Sequence, residues 1–159
     1  MTLLGCVGTG VSVCMQYEKH IHALGDLSEM FFNMAEIVST QKATIPEAIE
    51  GARKAVHGIA ELFLDNFTNI KQSEEIDAAW KIATETLNDE LNESEVEMIH
   101  GLLERNVCLD DETQKNALMQ IAGKFKDQML KEEADRAEKK KTVQALSIVC
   151  GILVCVVLW

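Results

Sequence analysis

The chain has 159 residues, of which 47% are hydrophobic and 26% are charged, and this composition predicts one folded domain and argues against intrinsic disorder. A single proline and an aromatic fraction of only 5% argue against a β-sandwich or a β-barrel and favour an all-α fold. The net charge of −11 argues against a nucleic-acid-binding protein, because Lys and Arg supply most of the affinity for phosphates.

Residues 1–16 form an uncharged, largely apolar segment. Gly5 and Gly8 each precede a small residue by four positions, and the same spacing separates Ser147 from Gly151 near the other end of the chain. This spacing lets membrane helices approach one another closely. We therefore predict an N-terminal membrane-associated segment, which either pairs with the C-terminal segment in the bilayer or lies in the membrane interface.

A long first helix continues from this segment. Its apolar residues recur at steps of three or four, as expected for one buried face of a helix: Ile21, Leu24, Leu27, Phe31, Met34 and Val38. Thr44 and Glu47 then have the spacing of a capping box around Pro46, which predicts the start of a second helix that extends towards Val56.

Three further short helices are predicted in the middle of the chain. Gly58 interrupts the apolar pattern, and a third helix follows with four residues facing inward: Ile59, Leu62, Phe63 and Phe67. Ser73 and the two glutamates after it predict the start of a fourth helix, which carries Trp80. Ser94 and Glu97 have the spacing of another capping box and predict the start of a fifth.

A long last helix is predicted to begin at Asp110, with an apolar stripe formed by Leu118, Ile121, Phe125, Met129 and Leu130. Residues 131–141 are polar on every side and predict a solvated stalk. The predicted fold is all-α: a small helical bundle whose long N- and C-terminal helices form an antiparallel coiled stalk that enters the membrane. Residues 17–141 are the predicted cytoplasmic bundle and stalk.

Residues 142–159 carry no charge, and 18 helical residues span about 27 Å, close to the roughly 30 Å of a bilayer core. Trp159 lies where an interfacial anchor is expected, and Lys139, Lys140 and Lys141 mark the other boundary. Basic residues flank the cytoplasmic side of membrane helices. The pattern predicts a C-terminal transmembrane helix with the acidic bundle in the cytoplasm.

The sequence offers no catalytic constellation. His20 and His22 are two positions apart and point to different helix faces, so they predict no metal site. The glycines near the N-terminus follow no strand and precede no lysine, so they predict no nucleotide-binding loop. We predict a non-enzymatic protein without cofactor or metal. Glu36 lies beside the apolar stripe of the first helix and is either an ordinary helix-flank residue or a contact residue.

Several short motifs occur in an order that resembles one known family: Glu36-Ile37, Thr44-Ile45-Pro46-Glu47-Ala48, Ala79-Trp80, Asp110…Gln114, and a terminal apolar segment after a basic block. The set resembles the stage III sporulation protein AB family of endospore-forming bacteria over nearly the whole chain. That family is similar in fold to the cytoplasmic domains of the platform proteins of type II secretion and type IV pili. One departure is the stretch 106–109, where the family usually shows a Leu-Gly pair and a serine.

The resemblance implies a platform component of the sporulation channel, or feeding-tube, complex in the mother-cell membrane around the forespore. Its implied partners are a cytosolic secretion-type ATPase (stage III sporulation protein AA), other membrane proteins of the complex and the lipid bilayer. The residues implied to face the ATPase are Glu36, Glu47, Asp110 and Gln114. The sequence leaves the oligomeric state open, and a homo-oligomer is one alternative.

A second interpretation is a tail-anchored helical adaptor or regulator. In that case residues 142–159 alone insert into the membrane, the N-terminus stays in the cytosol, and no ATPase is needed.

Overall fold

The computed structural model describes the backbone of residues 3–106 and 110–157 and the side chains of residues 17–103 and 110–138. Within these ranges the chain forms six helices: α1 (Leu3–Gln41), α2 (Ile45–Ala52), α3 (Gly58–Ile70), α4 (Ile76–Glu85), α5 (Glu93–Asn106) and α6 (Asp111–Val157). The described backbone contains no strand. The all-α prediction is therefore confirmed.

The two long helices, α1 and α6, pack side by side and run in opposite directions. Arg136 pairs with Glu18, whereas the ring of Phe125 stacks on that of Phe31 at a centroid distance of 5.9 Å. The earlier residue of α1 thus pairs with the later residue of α6, and the later residue of α1 contacts the earlier residue of α6, so the two helices are antiparallel. One end of the bundle holds the end of α1 and the start of α6, and we call it the distal end.

The four short helices complete the core beside this pair. α2 and α3 pack on α1, α4 packs on α3, and α5 lies between α4 and α6. Trp80 of α4 is buried, and its ring meets those of Phe63 and Phe67 edge to face at centroid distances of 4.9 and 5.5 Å. The indole Nε1 donates a hydrogen bond of 2.8 Å to the carbonyl oxygen of Ile99. Trp80 therefore ties α3, α4 and α5 together.

The capping box predicted at the start of α2 is confirmed. The Glu47 carboxylate accepts hydrogen bonds from the backbone N–H of Thr44 at 2.8 Å and from its hydroxyl at 2.9 Å. Pro46 occupies the first turn, where its missing N–H costs no helical hydrogen bond. The hydrogen bonds from Thr44 hold the pKa of Glu47 below its usual range.

This lowered pKa predicts a specific pH dependence. Because the folded-state pKa of Glu47 lies below the unfolded value, its contribution to stability is complete above the usual glutamate range and is lost as the pH falls through the folded pKa. We expect Glu47→Gln to be less stable than the wild type at pH 7, and the difference to close as the pH falls. Thermal unfolding at stepped pH measures this, and a difference that persists in acid contradicts it.

Two predicted helix starts are wrong in detail. α5 begins at Glu93, and Asn92 caps it in place of Ser94. The Asn92 side chain accepts a hydrogen bond of 3.0 Å from the N–H of Glu95, and the Glu95 carboxylate accepts one of 2.8 Å from the N–H of Asn92. The capping box is thus Asn92 and Glu95, two residues earlier than the predicted one. α4 begins at Ile76 with Glu75 as its N-cap, since the Ser73 hydroxyl bonds back to α3.

Two residues assigned to apolar stripes are exposed. Leu62 is 61% exposed, because α3 buries the face formed by Ala60, Phe63, Leu64 and Phe67, and Leu62 lies two positions from both Ala60 and Leu64, on the opposite side of the helix. Leu130 is 49% exposed, since it directly follows the half-buried Met129 and is rotated about 100° from it around the helix. Both predictions of burial are therefore wrong, whereas Leu118, Ile121 and Phe125 are buried as predicted.

Within the described residues, no helix combines the length and the apolar character that a membrane crossing requires. The predicted membrane segments, residues 1–16 and 142–159, lie outside the described side chains. The same holds for the residues assigned to membrane packing and to the membrane boundary: Gly5, Gly8, Ser147, Gly151, Lys139, Lys140, Lys141 and Trp159. Their roles and the entry of the stalk into the membrane stay predictions.

Candidate interaction site at the distal end

Four separate parts of the chain meet at the distal end: the start of α2, the α3–α4 turn with the start of α4, the later part of α5, and the first turn of α6. They enclose a surface cavity of about 660 Å³, which we call the distal cavity. Its wall is formed by residues 44–46, Lys71, residues 74–77, Leu103 and Gln114. The cavity therefore depends on how α1, α3 and α5 hold α2, α4 and α6 in place around it.

The distal cavity is acidic. Glu74, Glu75 and Asp77 line it, and Lys71 is the cation among its lining residues. The Lys71 ammonium lies 3.8 Å from the Glu50 carboxylate, so its charge is shared with a further acid. With three carboxylates against one shared ammonium, the cavity presents a negative surface that suits a basic or mixed partner.

Gln114 is the one residue of the four predicted contact residues that lines the distal cavity. Its side chain is buried, at 7% exposure, and its backbone N–H donates to the Asp110 carbonyl at 3.0 Å. Gln114 therefore forms part of the cavity wall and does not project from the surface.

Asp110 and Glu47 are exposed and sit at helix starts beside the cavity. Asp110 precedes α6, and its carboxylate accepts a 2.6 Å hydrogen bond from the Thr113 hydroxyl, which lowers the pKa of Asp110. Glu47 caps α2 through Thr44, which itself lines the cavity. Both residues therefore carry a full negative charge at neutral pH and also stabilise the elements that hold them.

Glu36 is exposed on α1 and does not line the distal cavity. Its carbonyl oxygen accepts a hydrogen bond of 2.8 Å from the Thr40 hydroxyl, one turn later. The next residue, Ile37, packs partly against the core. Glu36 thus flanks a buried stripe, as expected from its position.

The sequence model of the family described as stage III sporulation protein AB matches residues 1–159, which is the whole chain. The chain belongs to the stage III sporulation protein AB family. No curated protein matches it, and no solved structure matches it. Membership of the stage III sporulation protein AB family assigns a role in sporulation and confirms the resemblance, and this is not a family of known enzymes.

In this stage III sporulation protein AB family member, the sequence did not predict that the α3–α4 turn lines the cavity. The stretch of Ser73, Glu74 and Glu75 predicts a helix start, but nothing local indicates that it closes over residues 44–46. The available signal is charge, because Glu74 and Glu75 are consecutive exposed acids and Asp77 follows them in the first turn of α4.

Proposed function

We propose that the chain is a non-enzymatic platform component of the sporulation channel complex, and that its acidic distal end binds a cytosolic secretion-type ATPase, stage III sporulation protein AA. The observation that supports this proposal best is the acidic distal cavity. The cavity lies at the end of the bundle where α1 ends and α6 starts. The two apolar chain ends lie at the opposite ends of these same two helices.

The antiparallel pairing supports a membrane position for the opposite end. Contacts between Glu18 and Arg136 bring the two outgoing helices together just before the apolar segments 1–16 and 142–159. Residues 142–159 are uncharged and follow three lysines. In our proposal both segments attach to the mother-cell membrane around the forespore, and the bundle extends into the cytoplasm towards the ATPase.

Charge at the rim of an interface acts mainly on the association rate and on its salt dependence. Because Glu47 and Asp110 also cap helices, reversing their charge would mix a loss of binding with a loss of stability. Isosteric amides reduce this problem, since Gln at the fourth position of a capping box and Asn at an N-cap retain hydrogen-bonding capacity. The loss of stability expected for Glu47→Gln is measured separately by thermal unfolding.

We expect the double variant Glu47→Gln/Asp110→Asn to weaken ATPase binding by about 5- to 30-fold, because each substitution removes one exposed rim charge. Titration of the purified ATPase onto the full chain in lipid nanodiscs at low salt measures the effect. Glu133→Gln, an exposed acid of α6 beyond the bundle, is the matched control and should bind as the wild type does.

The difference between the variants should shrink when the salt concentration is raised. Glu36→Gln, measured in the same way, tests whether the interface extends along α1. Equal binding by the wild type and the double variant overturns the assignment of the distal end. Absence of binding by the wild type overturns the ATPase partnership itself.

The tail-anchored interpretation predicts a different topology. In our proposal Cys6 and Cys14 react poorly with a membrane-impermeant thiol reagent added to the cytosolic side of sealed vesicles. Full cytosolic labelling of both cysteines would favour the tail-anchored adaptor.

A further inference from the structure

Three ionisable side chains from three helices converge at the other end of the bundle from the distal cavity. They are His20 of α1, Glu95 of α5 and Glu132 of α6, and one donor atom of each lies within 4.8 Å of the other two. The His20 Nε2 atom is 3.2 Å from a Glu132 carboxylate oxygen and 3.5 Å from a Glu95 carboxylate oxygen.

A hydrogen bond to the backbone fixes which ring nitrogen of His20 faces the two acids. Nδ1 lies 2.7 Å from the carbonyl oxygen of Glu90, and because a carbonyl oxygen only accepts, Nδ1 carries a proton. The remaining nitrogen, Nε2, points at both carboxylates. Metal-binding histidines characteristically have this arrangement, with one N–H donating to a backbone carbonyl and the other nitrogen free to coordinate.

The three facing atoms all carry lone pairs, so they need a proton, on Nε2 or on a carboxylate, or a metal ion between them. One N–H can point at only one acceptor, and charge-assisted N–H···O bonds measure about 2.7–2.9 Å, shorter than both distances here. Ligand atoms bound tetrahedrally at 2.0–2.1 Å from zinc lie about 3.3 Å apart, which matches both distances. Two carboxylates and a neutral imidazole also balance the charge of a dication.

Burial strengthens the need for a cation. The Glu95 side chain is 1% exposed, and Gln128 and the backbone N–H of Asn92 donate to its carboxylate. The second oxygen of the largely buried Glu132 carboxylate is shielded from solvent and has no hydrogen-bond partner among the described residues. A buried carboxylate oxygen without a donor is costly, and a metal ion would compensate that cost.

We propose that His20, Glu95 and Glu132 bind a divalent transition-metal ion. A mixed set of one imidazole and two carboxylates suits zinc better than calcium or magnesium, which prefer oxygen ligands alone. The bound ion ties α1, α5 and α6 together at the level where the two long helices leave the bundle. The spacing of His20 and His22 did not predict this site, because the other two proposed ligands, Glu95 and Glu132, come from distant parts of the chain.

The test uses the tag-free full chain in detergent, titrated with ZnCl₂ and, separately, with MgCl₂. We expect one zinc ion per chain, and an unfolding temperature that rises with zinc but not with magnesium. Glu132→Gln should weaken zinc binding by about 10-fold or more, whereas Glu133→Gln, its exposed neighbour, should bind as the wild type does. His20→Gln should lose binding, with His22→Gln as its exposed control.

A measurement on the wild type covers the case in which a ligand variant does not fold. The imidazole ¹⁵N signal of the His20 Nε2 atom should shift on addition of zinc, while the signals of His22 stay in place. Failure of the wild type to bind zinc, or zinc binding that leaves the His20 signal unchanged, overturns the proposal and assigns the cluster to an imidazolium–carboxylate ion pair.

Discussion

Replacing Trp80 with alanine should lower the free energy of unfolding by about 3–5 kcal/mol. The substitution empties the space between α3, α4 and α5 and removes both edge-to-face ring contacts. It also removes the indole N–H, which donates a hydrogen bond to the Ile99 carbonyl oxygen within the core. Because single domains are typically stable by about 5–15 kcal/mol in total, this loss would leave little of the folded bundle at elevated temperature.

Two companion variants make the result specific. Trp80→Phe retains part of the ring volume but not the indole N–H, and it should lose clearly less than Trp80→Ala. Ile82→Ala, an exposed site two residues later on α4, should change stability by no more than about 0.5 kcal/mol. Denaturant unfolding followed by far-ultraviolet circular dichroism measures all three, and equal losses at Trp80 and Ile82 would contradict the assigned core.

Two glycine-to-alanine substitutions are expected to have opposite effects. Gly58 has φ of +64°, and a Cβ atom there would overlap the carboxylate of Asp26. That carboxylate accepts a hydrogen bond of 3.2 Å from the N–H of Ile59 at the start of α3. Gly58→Ala should therefore lower the free energy of unfolding by about 1–2 kcal/mol, because alanine disfavours the left-handed backbone, and by about 1 kcal/mol more for the disturbed helix cap.

Gly123 is the matched site, because it lies within α6 and a Cβ there meets no atom within 4 Å. Gly123→Ala should stabilise the protein by about 0.5–1 kcal/mol, since alanine loses less conformational freedom in a helix. Unfolding temperatures of the two variants, measured beside the wild type, should therefore move in opposite directions. A shift of the same sign in both would refute the backbone conformation assigned to Gly58.

The helices were predictable from the sequence because their signals are local. The capping box of Thr44 and Glu47 and the apolar stripe of α6 each lie within a few turns of the chain, and both are confirmed apart from Leu130. The error at α5 is also local: Asn92 is as good an N-cap as Ser94, and the buried position of Glu95 decides between them.

The candidate sites were predictable only in part because they are not local. Gln114 and Thr44 line the same cavity although 70 positions separate them in the chain. His20 and Glu132 come from the two ends of the described side chains. Sequence periodicity reports which face of a helix is buried, but it does not report which other helix covers that face. The resemblance to a family supplied residues for the distal end and none for the cluster at His20.

The pairing of the first helix with the last also determines when the protein can fold during its synthesis. Ser28 of α1 donates its hydroxyl to the carbonyl of Ala122, 94 residues later. At about 5–20 residues per second, a ribosome needs roughly 5–20 s to make that interval. Throughout this time α2 and α3 can already pack on α1, but the part of α1 that α6 covers is without its partner, so its apolar residues are exposed to aggregation.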